Sequence, residues 1–296
     1  MTDAVKFRAP GSLVYVPSAM PALLALNETT HLGIGAHPDD LEIFGFHGIL
    51  AGRMPGQAFT GVTLGDGAGG PRAEHLLELS DAEIASVRRE EQMAAADLGA
   101  YSAQVFLNYP SSIVRDLREP GPSLDLEQVL SLTQPDVVYT HALSDRHATH
   151  VAVTERVVES ILRLEPNARP QKLLGCEVWG DLDWLPAAYR VELDVSAEPA
   201  LAQTLIEAFH SQLSANKRYG LASLGRRAAH ATFGRSDAAD AALGVTLAMD
   251  LTPLIQPGGP KPEVLLDEML EAFRAETLAR RSALVLSRKT ATLSEK

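Results

Sequence analysis

Apolar residues in this chain fall into short runs, set apart by Gly, Pro and polar clusters, with longer stretches of helical spacing between them. That is the pattern of buried strands alternating with helices. Leu32, Ile34 and Ala36, interleaved with Gly33 and Gly35, read as a buried strand. Pro38 is placed to open the next helix, which continues over residues 43–53, because its fixed φ suits a first helical position. Residues 59–64 (FTGVTL), 104–107, 137–140, 173–179 and 191–195 read as further strands. The capping box Ser80-Asp81-Ala82-Glu83 opens a helix that Gly99 stops, and 124–132, 149–164, 201–214 and 262–281 read as helices. In the 149–164 segment Val151, Val157, Val158, Ile161 and Leu162 recur at helical spacing, and in the last segment Leu266, Met269, Leu270 and Phe273 share one side. The alternation predicts an α/β fold, doubly wound and Rossmann-like, with a mainly parallel sheet and helices on both faces.

Composition narrows the class. A chain of 296 residues with 46% apolar and 22% charged residues can bury a large core. The expected division is an N-terminal arm over 1–27, broken by Pro10, Pro17 and Pro21, a main α/β domain over 28–235, and a C-terminal extension over 236–296. The extension's amphipathic helix packs on the same domain or on a neighbouring subunit, and a homo-oligomer is expected. Twenty-six basic against 38 acidic residues, a net charge of −12, argues against nucleic acid or an anionic membrane surface as partner and favours a small neutral or cationic substrate. The single Cys176 forms no internal disulfide and is too little for a thiolate metal site, which fits a reducing, cytoplasmic compartment. No run approaches the roughly 18 apolar residues of a membrane span, so membrane insertion is not expected.

Chemistry concentrates where two strands end. The first runs into His37-Pro38-Asp39-Asp40, where His37 and Asp40, three apart on a helical first turn, share a face while Asp39 points elsewhere. The strand over 137–140 runs into His141, Asp145, His147 and His150, with His150 in the first turn of the helix that follows. In an α/β fold, sites assemble outside the carboxyl ends of strands, so the two clusters can converge on one ion. Two His, one Asp and a water make a zinc site with an open position.

The residues Ala36-His37-Pro38-Asp39-Asp40 and His147-Ala148-Thr149-His150 resemble the AHPDD and HxxH motifs of the LmbE-like or PIG-L-type N-acetylglucosaminyl deacetylases. The resemblance spans roughly residues 28–235. It implies that His37, Asp40 and His150 bind Zn²⁺, that Asp39 is the general base for the zinc-bound water, and that His147 stabilises or protonates the tetrahedral intermediate. Family members often carry Asp before the last His of HxxH, where this chain has Thr149. That leaves open whether Thr149 or Asp145 supports His147. His141 and Asp145 either back the ligands or satisfy local backbone.

The same resemblance marks Arg88 as a substrate-binding residue oriented by Glu91, and His210, within His210-Ser211-Gln212, as a second one. The Gly-rich stretch from Gly65 to Pro71 lacks the spacing of a phosphate loop and reads as a mobile active-site loop. Trp179 and Trp184 are candidates for a sugar platform. The expected activity is removal of an N-acyl group, acetyl above all, from an amino sugar or its conjugate. The alternative, a catalytically silent carbohydrate-binding or regulatory protein on the same scaffold, is expected to have lost Asp39 or a ligand, and all are present. A dinucleotide-binding reading of Gly33 and Gly35 fails because Pro38 stands where the pattern needs Gly.

Overall fold

The computed structural model describes residues 5–70, 72–213, 218–234 and 239–294, with side chains as far as Leu284 in the last helix. The expected arm, the Gly-rich loop at Pro71, the end of the 201–214 helix and the boundary at 235 each run into residues outside that set. Among the described residues eight strands form one sheet: β1 (Leu13–Tyr15), β2 (His31–Gly35), β3 (Phe59–Gly65), β4 (Ala103–Tyr109), β5 (Val137–His141), β6 (Lys172–Cys176), β7 (Arg190–Asp194) and β8 (Val245–Asp250). Their order across the sheet is β1-β4-β3-β2-β5-β6-β8-β7. The five central strands are parallel, whereas β1 pairs with β4 and β8 with both β6 and β7 in antiparallel fashion.

The chain builds outward from β2 in one direction through β3 and β4, then crosses back to lay β5 and β6 on the other side. The reversal puts the topological switch point between β2 and β5, where His31 pairs with Val137 and Gly33 with Tyr139. Among the described residues ten α-helices accompany the strands: α1 (Ala22–Asn27), α2 (Asp40–Phe44), α3 (Phe46–Gly52), α4 (Asp81–Gly99), α5 (Ser111–Arg115), α6 (Gly121–Thr133), α7 (Ala148–Arg163), α8 (Pro199–Glu207), α9 (Tyr219–Phe233) and α10 (Pro262–Ser294). Because side chains alternate along a strand, Val138 and Leu173 pack into one core with Leu130, Val157 and Ile161, while Tyr139 and Leu174 pack into a second with Phe44, Phe46 and Phe209. Helices therefore cover both faces, as expected of a doubly wound fold.

The termini contribute more than cover. The stretch over 1–27 supplies edge strand β1, and the stretch over 236–296 supplies β8, between β6 and β7. On α10 the deepest residues are Leu265 and Met269, while Leu270 is 47% exposed. The buried stripe is thus rotated by about one residue from the expected one. No helix among the described residues is long and apolar enough to cross a membrane.

Local differences cluster beside the switch point. Pro38 lies in a turn and α2 starts only at Asp40, because Asp39 takes φ 92°, a left-handed value that a right-handed helix cannot include. The helix breaks again at Gly45 before α3. β6 ends at Cys176, short of Trp179, and α8 ends at Glu207, where Phe209 turns back into the core and leaves His210 outside any helix. The Ser80 capping box forms as expected, with both reciprocal hydrogen bonds present.

Candidate metal centre

Asp40 is the hub of the cleft above the switch point. It is 2% exposed, and its Oδ2 accepts hydrogen bonds from the backbone N–H groups of Ala36 at 3.0 Å and His37 at 2.7 Å. The carboxylate is therefore fixed by the very turn that follows β2. Crowding beneath it is tight: Gly65 N donates to Ala36 O at 2.9 Å, and a Cβ at Gly65 would stand 2.5 Å from that oxygen. Three histidines surround the carboxylate, with His37 Nδ1 at 3.3 Å, His141 Nε2 at 3.3 Å and His150 Nε2 at 3.4 Å. His37 Nδ1 and His150 Nε2 lie 3.2 Å apart.

Those separations test whether an ion fits. Metal–ligand bonds of about 2.0–2.1 Å in tetrahedral geometry put ligand atoms roughly 3.3 Å apart; His37 Nδ1 and His150 Nε2 lie 3.2 Å apart, and each approaches a different oxygen of Asp40, His37 to Oδ2 at 3.3 Å and His150 to Oδ1 at 3.4 Å. The donor set is two imidazoles and a carboxylate, the mixture a divalent ion such as zinc takes in open sites. The groups whose ligating atoms all fall within 4.8 Å of one another are Asp40, His141 and His150, and His37, His147 and His150. The residues present fit a divalent ion.

Electrostatics separate the two aspartates. Burial pushes the Asp40 carboxyl up, but the neighbouring His150 and His141 outweigh it and hold the group well below the usual range. Asp39 goes the other way: burial first, then the Asp40 and Glu42 charges, push it well above the usual carboxylate range. A carboxylate raised in this way is a better proton acceptor near neutral pH. Its strained φ is tied down by Gln92, whose Oε1 accepts from Asp39 N at 3.4 Å and whose Nε2 donates to Glu42 Oε1 at 2.8 Å.

Behind the cluster, Asp145 reaches His150. Its Oδ1 lies 3.3 Å from His150 Nδ1, a close contact without hydrogen-bond alignment, and also accepts from His147 N at 2.8 Å. Its Oδ2 accepts from Trp179 N at 3.1 Å. The His147 ring meets neither candidate's side chain: its Nδ1 accepts from the backbone N–H of Thr149 at 3.3 Å, so the ring itself caps α7. The Thr149 hydroxyl faces Arg115 Nη1 at 3.4 Å instead. Burial, then His150 and His37, lower the His147 pKa.

Other expected residues fall in different places. Arg88 is 3% exposed and its Nη1 donates to Gly67 O at 2.6 Å and to Gly69 O, so the guanidinium clasps the Gly-rich loop. Glu91 connects to it through Ser211, which donates N–H and Oγ–H to Glu91 and accepts from Arg88 Nε. His210 is not brought into the cleft. It is exposed on the turn after α8 and lines an open groove with Val87, Glu90 and Thr204. Gln212, two residues on, does face the site, donating to Pro38 O at 2.7 Å. Trp184 is no platform either, since it packs edge-on against Phe273 of α10 with ring centroids 5.9 Å apart. The residues that sequence reasoning left out or undecided are His141, Gln92, Gln212 and Tyr219. His141, at the end of an apolar run, and Gln212, in the His210-Ser211-Gln212 element, carried a signal; Gln92 and Tyr219 carried none.

The fold and the cluster define an α/β protein with a metal-capable His/Asp site at its topological switch point. Residues 32–161 match the PIG-L family, GlcNAc-PI de-N-acetylase, so the resemblance carried by the AHPDD and HxxH residues is shown over that stretch. No curated protein matches the chain. Among solved structures, the chain is similar to the 4-carboxy-2-hydroxymuconate hydratase of Pseudomonas putida, at 18% identity and a TM-score of 0.57 over 75% of this chain and 95% of that one. It is similar to the conserved protein TT1542 of Thermus thermophilus, at 17% identity and a TM-score of 0.57 over 79% and 99%. It is also similar to the N,N′-diacetylchitobiose deacetylase of Pyrococcus horikoshii, at 20% identity and a TM-score of 0.56 over 73% and 82%. At these identities the likeness speaks for the fold.

Proposed function

We propose that the protein is a metal-dependent N-deacetylase acting on an N-acylated amino sugar or its conjugate, with His37, Asp40 and His150 as ligands of Zn²⁺ or a similar divalent ion. One observation carries the reading: the side chains of His37, Asp40 and His150, from two different strand ends, approach one another to 3.2–3.4 Å, each histidine against its own Asp40 oxygen, with the Asp39 carboxyl next in the chain. A bound ion supplies Lewis-acid polarisation of the amide carbonyl and acidification of water. Asp39, raised by burial, takes the proton of the attacking water. His147, 4.9 Å edge-on from the His37 ring, offers its Nε2–H as a hydrogen bond to the developing oxyanion, and the proton that Asp39 takes from water is the one passed on to the leaving amine. Arg88 holds the loop that walls the cleft and Asp145 holds His150, each acting from behind the reacting atoms. The matched family and a deacetylase among the structural neighbours support an amide of an amino sugar as substrate; the hydratase neighbour is a reminder that the fold alone does not choose the reaction. We read the enzyme as cytoplasmic and homo-oligomeric. The test is amine release from a panel of N-acetylated sugars and sugar conjugates, with zinc and with chelator. Zinc-dependent release from at least one is expected, and no release from any, or release untouched by chelator, defeats the reading.

A further inference from the structure

The last helix outruns the body it packs on. α10 spans 33 residues, about 50 Å at roughly 1.5 Å per residue, yet its inward contacts end within about the first three turns, at Leu265, Met269 and Phe273, the last against Trp184. From Arg274 to Ala283 every residue is exposed, so no side of that stretch rests on the body. A helix in a protein gains most of its stability by packing an apolar face, and this one still has apolar residues to pack. Leu270 and Leu278 are each half exposed, and the sequence runs on through Ala283-Leu284-Val285-Leu286. Its charges are segregated as well. Up to Glu276 the helix carries five acidic residues and one arginine, Arg274, which pairs with Glu271 of the same helix at 3.3 Å. From Thr277 to Ser294 it carries Arg280, Arg281, Arg288 and Lys289 and no acid. The helix dipole does not account for this order, because its influence is spent within the first and last turns.

We infer that α10 is the surface on which two copies of this chain pair, antiparallel, so that the acidic half of each helix faces the basic half of the other. Charge selects the partner. A second α10 laid antiparallel meets acid with base along both halves, whereas a parallel copy sets acid on acid and base on base. An antiparallel pair is also its own two-fold interface, which closes at two chains and builds no filament. Bringing the acidic stretch 267–276 opposite the basic stretch 280–289 puts the crossing point near Leu278, one of the half-exposed leucines. A nucleic acid or an anionic bilayer is drawn to the four basic residues but repelled by the five acids of the same helix and by the net charge of −12. This pairing gives the homo-oligomer proposed above its surface and does not depend on the reaction catalysed.

The test is the molar mass of the full chain in solution, by light scattering after size exclusion. Wild type is expected as a dimer or a larger even-numbered assembly. Two charge variants, one combining Asp267→Lys, Glu268→Lys and Glu271→Lys and the other combining Arg280→Glu, Arg281→Glu and Arg288→Glu, are each expected at half the wild-type mass. Mixed one to one they should regain it, because a helix made basic along its length then meets one made acidic along its length, and a merely damaged fold gains nothing from mixing. Direction is read by cross-linking with a short bismaleimide, the native Cys176 being buried. Leu278→Cys is expected to join to its own copy, and Leu284→Cys to join to Glu271→Cys but not to itself. A monomeric wild type overturns this pairing and the homo-oligomer reading together. Charge variants that keep the wild-type mass, a mixture that stays at half mass, or Leu284→Cys joining to itself overturn the antiparallel α10 pair alone.

Discussion

Asp145→Asn tests the site at the point where one atom group serves three partners. The side chain is fully buried, with Oδ1 beside His150 Nδ1 and accepting from His147 N, and Oδ2 accepting from Trp179 N. Asparagine keeps the shape but has one acceptor atom, so its oxygen turns to His147 and His150 and its NH₂ group confronts the Trp179 N–H. Leaving that donor unsatisfied costs about 1–3 kcal/mol of stability. Loss of the charge behind His150 makes the imidazole a poorer ligand, and orienting partners of this kind are worth about 10- to 100-fold in metal affinity. That factor corresponds to roughly 1.4–2.8 kcal/mol. The two effects are separable: a urea titration of the chelator-treated protein reads the first, and zinc competition against a chromophoric chelator reads the second. A zinc affinity within twofold of wild type, in a variant that keeps its far-UV spectrum, would refute the claim that Asp145 sets the ligand strength of His150.

If Asp39 is the base and not a ligand, as proposed, Asp39→Asn keeps its metal and loses on the order of 100-fold in turnover; a metal-free variant sinks that assignment. His150→Ala should lose most of its metal by elemental analysis, and unchanged occupancy removes it from the ligand set. Arg156 on α7 is fully buried and donates to the carbonyl oxygens of Ile113, Val114, Asp116 and Glu119 and to Ser123 Oγ, so Arg156→Met strands the carbonyls of Ile113, Val114 and Glu119 at once, while Asp116 O keeps the Glu119 N–H. A loss of about 3–5 kcal/mol is expected by urea unfolding, and a loss below about 1 kcal/mol would contradict the clamp.

What the sequence revealed and what it hid follow from range. β2 and β5 were readable because a strand buried on both faces is a continuous apolar run, and both end in His with Asp close behind. The start of α2 was not. Pro38 favours a helix locally, but the turn that lets Asp40 accept the Ala36 and His37 N–H groups forces Asp39 to φ 92°, a tertiary demand that overrides the proline. β1 is three residues long and exists only because β4 offers an edge to Leu13, Val14 and Tyr15. His141 could be seen as a strand end but not as Asp40's neighbour, since that contact depends on β5 lying beside β2 at the switch point. Gln92 and Tyr219 sit on helices whose spacing looks like any solvated face, and only the packed fold turns them toward Asp39.

Thr149 meets His147 through its backbone N–H, not its side chain. A carboxylate beside His147 would hold the ring as an imidazolium. Here Nδ1 accepts the Thr149 N–H, an unpaired donor of the first turn of α7, so the Nδ1 lone pair is committed and the neutral ring carries its proton on Nε2. Burial and the neighbouring His150 and His37 also favour that neutral ring. A neutral Nε2–H can donate to an oxyanion without a charged partner behind it. The side chain of Thr149 is then dispensable and its N–H is not. Thr149→Ala should retain kcat/KM within about threefold, whereas Thr149→Pro, at a first-turn position where proline costs no helical hydrogen bond, should lower it by on the order of tenfold or more, the range of a lost acid–base contribution. The proline variant must keep the wild-type metal content for the comparison to count against the cap. If it then matches wild type, or if the alanine variant falls as far as the proline one, the capping bond does not set the tautomer of His147.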